Sequence, residues 1–205
     1  MSPEKQTILA VDDIPENLDV LKGILIPTYT VKAATRGDIA LKIAESQQPS
    51  LILLDIMMPE MDGYEVCRAL KSNPKTVNIP VIFVTAMSDT RDEQKGFDVG
   101  AVDYLTKPVN PAIVKARVKT HLALADQQRA CHETVIQRTS ELEESQLAAI
   151  YMLGEAGHYN DTDTGVHIWR MAAYAGALAR AAGWHVDQAR ELELAAPMHD
   201  MGKIG

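Results

Sequence analysis

LILLDIMMPEMDG, running from Leu51 to Gly63, decides the fold. Four consecutive apolar residues end on a carboxylate, Asp55, and a Pro-, Asp- and Gly-bearing turn follows. A run this short and apolar at every position suits a strand buried on both faces of a parallel sheet. The same grammar recurs on either side. Ile8–Val11 is an apolar run that ends on Asp12 and Asp13, and Val81–Val84 ends on Thr85. Weaker strands are expected at Thr28–Ala33 and Asp103–Thr106. Between them lie amphipathic stretches at Pro15–Leu25, Gly37–Gln47, Gly63–Ser72, Arg91–Val99 and from Pro111 onward. Strand and helix alternate five times, which predicts an α/β fold with a doubly wound, five-stranded parallel sheet.

In such a sheet the functional crevice lies beyond the carboxyl ends of the strands. Asp12, Asp13, Asp55, Thr85 and, after the last strand, Lys107 all stand at those ends. An Asp before Pro15 is also an ordinary helix cap. Independent caps, however, would not all choose one edge of one sheet.

Ile8–Val118 resembles a response-regulator receiver domain of two-component signalling, with a flavodoxin-like fold. The resemblance rests on Asp12-Asp13, on Asp55 within LLDIMMPEMDG, on Thr85-Ala86 and on Lys107-Pro108, all in order. It implies that Asp55 is the phosphoacceptor and that Mg2+ is held by Asp12, Asp13, Asp55 and the backbone carbonyl of Met57. Oxygen ligands of this kind suit a hard divalent cation, which would neutralise the repulsion between an incoming phosphoryl group and the carboxylate. Lys107 and the Thr85 hydroxyl would contact phosphoryl oxygens, with Ala86 beside them. The resemblance also implies a cis bond at Pro108 and a switching aromatic at Tyr104, and it names a sensor histidine kinase as the partner.

Composition narrows the alternatives. A net charge of −8 over 205 residues argues against a broad nucleic-acid footprint, so no DNA partner is expected. The two cysteines, Cys67 and Cys131, belong to no CxxC pair. A reducing, cytoplasmic setting is the natural reading. No apolar run approaches the ~18 residues of a membrane span.

Beyond the receiver the grammar changes. Residues 119–150 lack Pro and Gly, and Val135, Leu142 and Ala149 recur every seven residues, interrupted by Arg138 and Ser145. A long helix is expected there, able to pair two chains as a coiled coil. The expected organisation is a receiver over 1–120, a helical linker over 121–150 and an incomplete all-α segment over 151–205, with helices at Tyr151–Tyr159, Gly165–Gly183 and Val186–Met198. A homodimer through receiver and linker helix follows from that plan.

The last segment resembles the start of an HD-GYP domain, a subfamily of HD phosphohydrolases. The resemblance lies in DTDTGVHIWRM (Asp161–Met171) and ELELAAPMHDMGKIG (Glu191–Gly205). It implies metal ligands at Asp163, His167, His199 and Asp200, a phosphate contact at Lys203, and cyclic di-GMP as substrate. Imidazole with carboxylate suits Fe, Mn or Zn, and Asp163 and His167, spaced i and i+4, share one helix face. The family's pattern has Glu where Asp163 stands, and its later ligands would lie past Gly205. The 205 residues are therefore expected to be a fragment without phosphodiesterase activity of their own. The alternative is a receiver that signals by docking alone.

Overall fold

The computed structural model describes residues 5–86, 96–157 and 166–198, with side chains over 5–86, 96–153 and 169–198. Five strands, β1 (Thr7–Val11), β2 (Thr30–Ala34), β3 (Leu51–Asp55), β4 (Val81–Thr85) and β5 (Asp103–Thr106), form one parallel sheet in the order β2-β1-β3-β4-β5. Helices α1 (Pro15–Leu25), α2 (Gly37–Gln47) and α3 (Gly63–Ser72) match the expected spans, and α4 runs from Pro111 to Gly157. Of the helix expected at Arg91–Val99, residues 96–98 are described and helical.

Alternation of side chains along each strand builds two cores. Leu9, Val11, Ile52, Leu54, Val81 and Phe83 face α2 and α3, where they meet Ala40, Ala44, Tyr64, Val66, Cys67 and Leu70. Ile8, Ala10, Leu51, Leu53, Ile82 and Val84 face the other way, onto Leu18, Leu21 and Leu25 of α1 and Val114, Val118 and Leu122 of α4. Both faces of β3 and β4 are covered, which is why those strands are apolar throughout. β2 is an edge strand and only Ala34 is buried. It begins at Thr30 rather than Thr28 because Thr28 and Tyr29 still donate to the carbonyl of Leu25, closing the end of α1.

The chain divides into two compact units, Met1–Cys131 and His132–Gly205. In the second, α5 (Val166–Ala181) and α6 (Val186–Ala195) pack together, and a short 3-10 turn covers Ala196–Met198. The helix expected through Met198 gives up α geometry after Ala195, at Pro197, which has no N–H for the next hydrogen bond. The linker helix expected over 121–150 and the helix expected from Tyr151 are one, since neither Pro nor Gly stands between Ala112 and Leu153. No described helix is long and apolar enough to cross a membrane.

Candidate functional site at the carboxyl edge of the sheet

The strand order reverses between β1 and β3, which makes their carboxyl ends the topological switch point. Register then does the positioning. Val11 pairs with Leu54, so the next residues, Asp12 and Asp55, emerge side by side. Thr85 pairs with Thr106, which brings Lys107 up beside them, and the Lys107 N–H donates to the Thr85 carbonyl at 2.7 Å.

Carboxylate oxygens of Asp12, Asp13 and Asp55 lie within 4.8 Å of one another. Asp12 and Asp55 are buried, as is Thr85. The Lys107 ammonium bridges the first two, 2.7 Å from Asp12 Oδ2 and 3.0 Å from Asp55 Oδ2. Asp12 Oδ1 is held by Ile14 N–H and Asn17 Nδ2, each at 3.0 Å. Ile14, not Asp12 or Asp13, is the N-cap of α1, and Pro15 opens the helix. Asp12 is therefore turned into the crevice.

One lysine cannot balance three carboxylates. Asp13 Oδ1 is buried and has no hydrogen-bond partner among the described residues. A buried, unpaired carboxylate oxygen is costly, and this one sits where an all-oxygen ligand set would take a hard cation. The three residues thus fit a divalent metal. Burial raises the pKa of Asp55 above its ordinary range; hydrogen bonding and charge from Lys107 oppose that, Asp12 adds to it, and the Met57 N–H, bonded to the Asp55 carboxylate, also opposes it. Burial alone would lower the pKa of Lys107, but hydrogen bonds and charge from Asp12 and Asp55 leave it raised.

Local sequence explains the rest of the scaffold. Asp62 and Glu65 form a reciprocal capping box at the start of α3, with Glu65 N–H to Asp62 Oδ1 at 2.7 Å and Asp62 N–H to Glu65 Oε2 at 3.0 Å. Gly63 follows because its backbone lies against β3: a Cβ there would stand 2.2 Å from the carbonyl oxygen of Asp55. The Lys107-Pro108 bond is cis. A pocket of about 440 Å³ opens beside the carboxylates, lined by Asn17, Leu21, Val84 and Pro108 together with Asp12 and Lys107.

Ala86 is exposed at the end of β4, and the Met57 side chain points to solvent. Tyr104 lies on the neighbouring surface, edge-on to Phe97 at 6.4 Å between centroids and under the Arg117 guanidinium at 5.6 Å. Two features there had no sequence signal. Asp103 pairs with Arg117, and His121, to which the sequence assigns no role, meets Asp103 Oδ2 at 3.0 Å. Their spacing along the helix is ordinary, and only folding brings β5 to them. Asn17 was equally silent. The second candidate cluster falls outside what is described: Asp163, His199, Asp200 and Lys203 entirely, and His167 except for its backbone in α5.

Comparison with known proteins agrees with this geometry. The model of the response regulator receiver domain matches residues 8–119. A probable cyclic di-GMP phosphodiesterase of Vibrio cholerae is 40% identical over 97% of this chain and 48% of its own length. The cyclic di-GMP phosphodiesterase response regulator RpfG of Xanthomonas campestris is 36% identical over 80% of this chain and 46% of its own. The chain thus spans about half the length of these curated relatives. Among solved structures, the receiver domain of a Syntrophus aciditrophicus histidine kinase matches with a TM-score of 0.54 at 39% identity, covering 58% of this chain and 90% of that one. A CheY-like receiver of Methanospirillum hungatei matches with a TM-score of 0.57 at 28% identity, covering 61% and 99%. With the family model matched over more than half of its length and the fold shared with solved receivers, this chain belongs to the response regulator receiver family.

Proposed function

We propose that this chain is switched by phosphorylation of Asp55, drawing on Mg2+ and a sensor histidine kinase as phosphoryl source. The observation that carries the reading is the placement of Asp55: buried at the switch point, within 4.8 Å of two further carboxylates and ion-paired to Lys107. Bound Mg2+ would lower the charge that the incoming phosphoryl group meets. Asp12, Asp13 and Asp55 would hold it with the Met57 carbonyl. Lys107 is placed to follow a phosphoryl oxygen, and Thr85 to hydrogen-bond another. Positioning and electrostatics supply the catalysis, as phosphoryl transfer requires. Tyr104 stands on the surface through which a changed Thr85 would be read, next to the first turns of α4.

The same proposal assigns residues 1–120 to the receiver, 121–150 to a linker helix and 151–205 to an HD-GYP-like output segment. Support comes from the HD and GKIG strings and from the two phosphodiesterase relatives that extend across the linker. The whole protein's output is then hydrolysis of cyclic di-GMP in the cytoplasm, with Asp163, His167, His199 and Asp200 among its metal ligands and Lys203 near phosphate. Four such ligands under-fill a two-metal site of Fe, Mn or Zn. The 205 residues alone are expected to hydrolyse no cyclic dinucleotide.

Acetyl phosphate with Mg2+ is expected to add one phosphoryl group, read by intact mass, and Asp55→Asn to add none. Equal labelling of Asp55→Asn would sink the assignment. Robust metal-dependent turnover of cyclic di-GMP by the 205 residues, lost on His199→Ala, would overturn the output reading while leaving Asp55 untouched.

A further inference from the structure

Asp12 is the carboxylate of the crevice that α1 reaches. Its backbone prolongs β1, with the Asp12 N–H donating to the Ala34 carbonyl at 3.2 Å. The buried side chain has three donors around it: the Ile14 N–H and Asn17 Nδ2 on Oδ1, each at 3.0 Å, and the Lys107 ammonium on Oδ2 at 2.7 Å. An ionised carboxylate offers about four lone-pair sites, so both oxygens are engaged. Asp13 differs, since its buried Oδ1 accepts nothing among the described residues.

The starts of two helices show what sets the Asn17 contact apart. In α3 the third residue, Glu65, reaches back to the N–H of its N-cap, Asp62, and satisfies a helix-end donor. In α1 the third residue is Asn17, counted from the Ile14 cap, but the Ile14 N–H is already bonded to Asp12 Oδ1. The Asn17 amide therefore serves no helix-end donor. It is itself a donor, onto that same oxygen. Asparagine is neutral to unfavourable inside a helix, because its side chain competes with the backbone. Among the described residues, the one side-chain hydrogen bond of Asn17 goes to Asp12. Asn17 is half-buried and walls the pocket of about 440 Å³ with the apolar residues Val20, Leu21 and Pro108.

We infer that Asn17 is a positioning residue for the metal-dependent chemistry of Asp55, acting through Asp12. It holds Oδ1 toward α1, which leaves Oδ2 facing Lys107 and the shared crevice. Without that tether one backbone N–H alone holds Oδ1. The carboxylate can then turn and draw the Lys107 ammonium, 3.0 Å from Asp55 Oδ2, out of its bridging place. A cation held among the three carboxylates binds best where their oxygens are fixed in advance. Outer partners that orient such ligands typically contribute ~10–100-fold in metal affinity. Asn17 is one of three donors on Asp12, so its share lies at the low end, about tenfold. The inference rests on the reading of Asp55 as a Mg2+-dependent phosphoacceptor.

Asn17→Leu tests it in the intact 205-residue chain. Leucine has nearly the shape of asparagine and would meet apolar neighbours, so the donor is deleted with little loss of packing. Mg2+ titrations followed by the amide resonances of Asp13 and Asp55 should show affinity falling about tenfold. Labelling by acetyl phosphate should need correspondingly more Mg2+ to reach half its maximal rate, while the rate at saturating Mg2+ stays close to that of the parent. Asn17→Ala, which removes the donor without filling its space, should shift both in the same direction. A residue that only stabilised α1 would lower the urea midpoint and leave Mg2+ affinity alone. In an Asp12→Asn background, adding Asn17→Leu should weaken Mg2+ binding no further, since the group it acts through is gone. Unchanged or tighter Mg2+ binding in both Asn17 variants would overturn the inference, as would a full loss that persists in the Asp12→Asn background. Both results would leave labelling of the parent at Asp55 intact. A parent chain not labelled at Asp55 would instead sink the reading on which the inference rests.

Discussion

The two units of this chain solve the burial problem differently. In Met1–Cys131, large aliphatic side chains such as Leu9, Leu25, Ile52, Leu53, Leu54 and Ile82 are wholly buried on the two faces of a sheet. In the second unit, the described residues that are buried are small: Ala172, Gly176, Ala179, Ala189 and Pro197. None of its larger described apolar side chains is fully buried: Leu178 and Val186 stand exposed, while Trp169, Met171 and Leu194 are half-buried. A parallel sheet with helices on both sides closes a core by itself, because each strand offers two apolar faces. A helix pair touching through alanines and a glycine shields much less apolar area, and burial stabilises roughly in proportion to that area. The contrast teaches where the chain's intrinsic stability resides. It resides around the Asp55 crevice.

Truncating one leucine in each unit tests this most directly. Leu54→Ala, in the wholly buried run that ends on Asp55, should cost about 2–5 kcal/mol. Leu178→Ala, 70% exposed on α5, should change stability by no more than about 0.5 kcal/mol. Both tryptophans, Trp169 and Trp184, lie in the second unit, so their fluorescence follows that unit in urea. Amide exchange in β3 follows the receiver. Equal costs for the two substitutions would break the comparison and mean that something covers Leu178 in solution.

A smaller effect sharpens the reason for polar groups inside the more stable unit. Lys107→Ala leaves Asp12 and Asp55 buried without their shared cation. The expected cost is about 1–3 kcal/mol, the usual penalty for stranding a buried polar partner. Mg2+ should return much of that loss, because the metal would supply the charge that the lysine had supplied. Urea midpoints of both chains, with and without Mg2+, check it. A deficit unchanged by Mg2+ would mean that Lys107 stabilises through packing of its alkyl stem.

Much of the first unit was legible because its grammar is redundant. The runs Ile8–Val11, Leu51–Leu54 and Val81–Val84 each name a strand, and each ends on the residue that the structure brings into the crevice. β2 was placed two residues early, since an edge strand lacks the continuous apolar run. The neighbours of the site were harder to read. Asn17 reaches Asp12, and His121 and Arg117 reach Asp103, only because the fold closes distances of up to eighteen residues. Gly63 was a partial exception: a glycine right after a capping Asp invites attention, but the 2.2 Å approach to the Asp55 carbonyl needs the folded backbone.

The smallest expected effect concerns the sign of the electrostatics at Asp55 itself. Burial, the largest influence, holds the folded-state pKa of this carboxyl above its ordinary value, despite the opposing pull of Lys107. The folded chain then binds the Asp55 proton more tightly than the unfolded chain does. Stability falls as pH rises from the unfolded value, ~3.9, through the folded one, and the penalty is complete above that window. Asp55→Asn removes the titrating group. Its difference from the parent chain should therefore be small near pH 4 and should grow in favour of the variant toward neutral pH, where the ionised carboxylate is fully desolvated. Other titrating groups are common to both chains and largely cancel in that difference. Urea midpoints across pH 4–7 in the absence of divalent cations would read it. If Asp55→Asn is instead the less stable chain at neutral pH, the pairing with Lys107 outweighs burial. The receiver would then owe stability to its charged site as well as to its core.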